Sequence, residues 1–105
     1  MVIEMSKKIR LSLTPKEWKE LEHFARDRIK DYIHNKNEKS ASMWREISEH
    51  IKNKHLSDDD IREIIHDLYS VIYIVYLPNE EIVDSELDDI VKYYTMIKKL
   101  GKYII

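Results

Sequence analysis

Residues Lys7 to Leu13 read Lys-Lys-Ile-Arg-Leu-Ser-Leu, and this strict alternation constrains the fold more than any other feature of the chain. In an extended strand it places Ile9, Leu11 and Leu13 on one face and Lys8, Arg10 and Ser12 on the other. The strand runs straight into a helix start. Thr14 can cap the amide of Glu17, Glu17 can reach back to Thr14, Pro15 suits the first helical position, and Leu13 and Trp18 fall at the two staple positions. Trp18, Leu21, Ala25, Ile29 and Tyr32, with Phe24 and Ile33 beside them, then predict a helix over 15–34.

The remainder reads as further helices. Asn35 to Lys39 is polar and without periodicity, a loop. Ser40-Ala41-Ser42 offers a cap for a second helix to about Asn53, with Met43, Trp44, Ile47 and Ile51 inward. After a linker, Lys54 to Leu56, the run Ser57-Asp58-Asp59-Asp60 signals a third helix start, its acids favourable against the helix dipole. Ile61, Ile64, Ile65, Leu68, Ile72, Val75 and Tyr76 carry that helix to about Tyr76, before the break at Pro78-Asn79. Ser85 with Asp88 opens a fourth helix carrying Leu87, Ile90, Val91, Tyr94, Ile97 and Leu100, and Gly101, the only glycine, falls where a left-handed C-terminal cap is expected.

A solitary strand in such a chain leaves backbone groups unpaired, at a cost of about 1–3 kcal/mol for each that is buried. The simplest partner is the same strand of a second copy, antiparallel about a two-fold axis. Pairing with the β-branched and aromatic run Val71 to Leu77, or a frayed terminus, are the alternatives. The expected fold is therefore mainly α: one short N-terminal strand pairing in a dimer as a β-ribbon, followed by about four helices. Such a ribbon would expose Lys8, Arg10 and Ser12 from both copies on one face. A two-stranded ribbon fits the DNA major groove, where Arg and Lys donate to guanine O6 and N7.

Charge divides the chain in a way that suits this reading. Residues 1–55 hold 13 Lys/Arg against 9 Asp/Glu, and residues 56–105 hold 5 against 11, so a net charge of −2 conceals halves of +4 and −6. We read 1–55 as a polyanion-binding module and 56–105 as an acidic helical hairpin for dimerisation or partner binding. With 43% apolar residues the chain can bury a core. Its lack of cysteine excludes disulfides and thiolate metal sites, and with no signal-peptide pattern it is expected in the cytoplasm. The longest apolar stretch, Val71 to Leu77, is too short to span a bilayer, so no membrane association is expected.

The segment from Lys8 to Asp27, through Ile9-Arg10-Leu11-Ser12-Leu13-Thr14-Pro15-Lys16-Glu17-Trp18 and the small residue Ala25, resembles the strand and first helix of the ribbon-helix-helix DNA-binding proteins of the MetJ and Arc type. Ser40-Ala41-Ser42-Met43-Trp44-Arg45-Glu46-Ile47 resembles the start of that family's second helix, whose amides grip a phosphate. The resemblance covers residues 7–53, with a first helix extended by about two turns and a C-terminal helical appendage. It implies that Lys8, Arg10 and Ser12 read bases while Lys7, Lys39, Ser40, Ala41 and Ser42 hold the phosphate backbone of double-stranded DNA.

Other chemistry is not suggested. No two of His23, His34, His50, His55 and His66 stand four residues apart, so no metal site is expected, and Asp58 to Asp60 read as a helix start. His66-Asp67 reads as a solvated pair. Without a glycine-rich phosphate loop or a nucleophile motif, neither enzymatic activity nor a cofactor is implied. Six of the seven tyrosines lie beyond residue 68, either as core or as an aromatic recognition surface, and the apolar end Tyr103-Ile104-Ile105 is expected to pack on a partner subunit. The leading expectation is a homodimeric, sequence-specific transcriptional regulator. The alternative is a non-enzymatic protein-interaction factor of a virus or plasmid, the bias toward Ile, Lys, Glu and Tyr being compatible with a heat-adapted archaeal host.

Overall fold

The computed structural model describes residues 8, 9, 11–78 and 80–104, with Lys8 and Ile9 described by their backbone alone. The chain is mainly helical, in the order β1 (Lys8–Ile9), α1 (Pro15–His34), α2 (Glu38–Lys52), β2 (Leu56–Ser57), α3 (Asp58–Val71), a π-helical turn (Ile72–Tyr76) and α4 (Asp84–Gly101). It divides into two compact units between Ser57 and Asp58. The break falls two residues beyond the one expected because Leu56 and Ser57, read as the end of a linker and a helix cap, pair antiparallel with Ile9 and Lys8.

Among the described residues of the strand expected over Lys7 to Leu13, pairing is seen at Lys8 and Ile9. Lys7 and Arg10 lie outside the described residues, and residues 11–14 are irregular. Helix α1 keeps its expected bounds because its start is specified locally. Thr14 Oγ1 accepts from the Glu17 amide at 3.1 Å while the Thr14 amide donates to Glu17 Oε1 at 2.9 Å, which together satisfy two donors that the helix start would leave unpaired.

Both helices of this unit end in the same motif. At the end of α1 the Lys36 amide donates to Ile33 O and the Asn37 amide to Tyr32 O; at the end of α2 the Lys54 amide donates to Ile51 O and the His55 amide to His50 O. These paired bonds define Schellman caps, and they force Lys36 and Lys54 to φ of 58° and 59°. Lysine stands where glycine is usual, so each cap stores backbone strain. Between the helices the buried side chains are Trp18, Leu21, Phe24 and Ala25 from α1 and Ala41, Trp44, Ile47 and Ile51 from α2. Phe24 meets Trp44 edge to face, with centroids 5.8 Å apart, a geometry that aromatic quadrupoles favour. Met43 and Ile33, expected inward or beside the inward stripe, are exposed.

In the second unit the core is aliphatic: Ile61, Ile64, Leu68 and Ile72 face Ile90, Met96, Ile97 and Leu100. The run Val71 to Leu77 is helical, as its lack of a turn signal suggested, but from Ile72 it widens so that the Leu77 amide donates to Ile72 O, five residues back. Helix α4 begins one residue before Ser85, after Val83, which makes no side-chain cap bond. Gly101 does not form the expected left-handed cap: it is the last helical residue and its φ is not positive, because the chain continues past it in turns closed by the Tyr103 and Ile104 amides. Tyr103 and Ile104 are half-buried, and Ile105 lies outside the described residues.

Candidate functional site

The strand–helix–helix unit places the predicted DNA contacts unevenly. Of the base-reading set, Ser12 is exposed, while Arg10 and the side chain of Lys8 lie outside the described residues, as does Lys7 of the phosphate set. The remaining phosphate contacts fall at the start of α2, and there the expectation needs correction. The helix begins at Glu38, two residues before Ser40, because Asn37 is its cap: Asn37 Oδ1 accepts from the Ser40 amide at 3.1 Å. The Ala41 amide donates to Asn37 O at 3.0 Å, and Ser42 lies further into the helical ladder. The amides of Ser40, Ala41 and Ser42 are therefore used by the helix itself. Ala41 is also fully buried, which leaves the exposed side chains of Lys39 and Ser42, and the half-buried Ser40, as the possible phosphate contacts.

The second unit carries a feature that periodicity alone did not reveal. Leu87 and Val91, two of the apolar residues expected along α4, are 50% and 57% exposed, and Val83, just before the helix, is 54% exposed. Leu87, Val91 and Tyr94 follow one another along α4 at spacings of four and three, so they form a single ridge, and Val83 stands just before the helix. The Tyr94 hydroxyl donates to the Tyr73 hydroxyl at 3.3 Å, which sets this ridge beside the π-helical turn. There Tyr73, Ile74, Val75 and Leu77 are all exposed, Ile74 by 71%. Tyr69 stacks on Tyr73 and meets Tyr94 edge to face, with centroids 6.0 and 6.3 Å apart, extending the apolar surface along α3.

Of the six C-terminal tyrosines none is fully buried, and Tyr69, Tyr73, Tyr76, Tyr93 and Tyr94 meet one another where α3 and its π-helical turn pack on α4. The Tyr94 phenol is held above its usual range, chiefly by its bond to Tyr73. Burial, then the nearby Tyr93 and Asp89, push the Tyr76 phenol well above its usual range, and its hydroxyl donates to Asp89 Oδ2 at 3.2 Å. Carboxylates of Glu80, Glu81, Asp84 and Asp88 are exposed around the start of the α4 ridge. The result is an apolar, tyrosine-rich surface with an acidic border.

Comparisons with known proteins found no matching protein-family model, curated protein or solved structure. Among the described residues no helix is long and apolar enough to cross a membrane.

Proposed function

We propose that this chain is a non-enzymatic binding protein whose acidic second unit docks a basic amphipathic helix of another protein. The observation that carries the reading is the exposed pair Leu87 and Val91 on α4, whose neighbour Tyr94 bonds to the exposed Tyr73. Exposed apolar area of this density marks an interaction surface, and helix-in-groove recognition uses anchors at such spacings. Residues 58–105 hold 5 Lys/Arg against 11 Asp/Glu, so a cationic partner is drawn in, whereas a second copy of the same surface would be repelled. Anisotropy titration with a labelled Lys/Leu amphipathic peptide tests this. Saturable binding that Leu87→Asp and Val91→Asp abolish supports it. Absence of binding, or a concentration-dependent dimer that the same substitutions dissolve, overturns it.

A second reading, a homodimeric transcriptional regulator binding double-stranded DNA through the first unit, is favoured by the strand–helix–helix order and its +4 charge. In that reading Lys8, Arg10 and Ser12 contact bases. A strand has two edges, and β2 pairs along one, so a ribbon between two copies would use the other. Gel-shift titrations at rising salt decide this. Salt-dependent binding weakened by Arg10→Ala supports DNA recognition, and salt-independent binding contradicts it.

A further inference from the structure

One turn of α3 brings two carboxylates and an imidazole together. The side chains of Glu63, His66 and Asp67 each offer a ligand atom, all within 4.8 Å of one another. Their spacing, i, i+3 and i+4, puts them on one helical face. The expected solvated pair proves asymmetric: the His66 side chain is 73% exposed, whereas Asp67 is 2% exposed, with its Oδ1 3.1 Å from His66 Nδ1. Beside them, Glu63 Oε2 is buried and has no hydrogen-bond partner among the described residues. A buried carboxylate oxygen without a partner is costly, and a cation is one of the few groups that would satisfy it.

We propose that Glu63, His66 and Asp67 form a binding site for a divalent transition-metal ion, of which Zn²⁺ is the best probe. The imidazole selects against Mg²⁺ and Ca²⁺, which take oxygen ligands, while the two carboxylates and the absence of thiolate select against soft ions such as Cu⁺. Ligands about 2.0–2.2 Å from Zn²⁺ stand roughly 3.3 Å apart around a tetrahedral ion. The His66–Asp67 separation of 3.1 Å lies close to that figure. Only the long Glu63 side chain and the exposed imidazole need to close further, which side-chain rotation supplies. Three protein ligands and an exposed histidine leave a fourth position open to water or to a ligand from solvent, the arrangement of an accessible site rather than a closed structural one.

Calorimetric titration of the full chain, stripped of metal, with Zn²⁺ tests the proposal. One ion per chain is expected. His66→Ala and Glu63→Gln should each weaken binding by more than the roughly tenfold that loss of an outer-shell partner costs. Both residues present side chains that are at least partly accessible, and circular dichroism of each variant confirms that it folds. Titration with Co²⁺ gives a second readout, a visible absorption band of tetrahedral intensity that both variants lose. The proposal is overturned if no saturable binding occurs, or if Zn²⁺ binds equally well to the double variant, which would assign it to other histidines or to Asp58–Asp60.

Discussion

The two units differ in how completely each uses its own sequence. The first closes every helix end it can: a capping box at Thr14, an asparagine cap at Asn37 and two Schellman motifs, with a core in which two tryptophans and a phenylalanine are buried. In the second, α4 starts without a side-chain cap and α3 passes into a π-helical turn, with large aliphatic side chains turned outward over the same residues. One unit spends its apolar residues on its own stability. The other leaves part of them exposed, which is the surface proposed to take a partner, and π-helical turns occur often at functional places.

Truncation mutants break this comparison if it is wrong. Leu21→Ala in the first unit should cost about 3 kcal/mol, the range for emptying a packed site, whereas Leu87→Ala in the second should change stability by about 0.5 kcal/mol or less. Urea denaturation can follow the units separately, because both tryptophans lie in the first and six of seven tyrosines in the second. Equal losses for the two variants would show that the α4 ridge is buried after all. A smaller effect is expected at the first helix start, where Thr14→Ala removes one half of the capping box and should cost about 1 kcal/mol by the tryptophan signal.

The lysines at positive φ predict a change of opposite sign. Lys36→Gly and Lys54→Gly should each stabilise the first unit by up to about 1 kcal/mol, because the left-handed conformation costs glycine nothing while the looser unfolded chain offsets part of the gain. The smallest effect is an alkaline one. The Tyr76 phenol is raised above its ordinary value in the folded unit, so its contribution is complete below the unfolded value of about 10 and is lost as pH rises through the higher folded one. Stability of the second unit should therefore decline above about pH 10, and Tyr76→Phe should flatten that decline in a tyrosine-monitored pH series.

What the sequence made legible follows the same local-versus-distant line. The bounds of α1 were readable because Thr14, Pro15 and Glu17 act within one turn, and the helical run to Tyr76 was readable because no turn residue interrupts it. The β2 pairing was not, since it depends on residues 56–57 meeting residues 8–9 across the chain. Asn37 and Ser40 are both good cap formers, and only the backbone path decides between them. Helical periodicity tells which side chains share a face of α4 but not whether anything covers it, so the exposure of Leu87 and Val91 needs the fold. The Glu63, His66 and Asp67 cluster escaped because a search for two histidines at one spacing does not find a mixed ligand set.

Hydrogen–deuterium exchange on the full chain, with and without a basic amphipathic peptide, tests the central claim most directly. The account predicts added protection over residues 73–77 and 83–94, with residues 15–52 unchanged. Protection confined to the first unit, or none anywhere at saturating peptide, would contradict it.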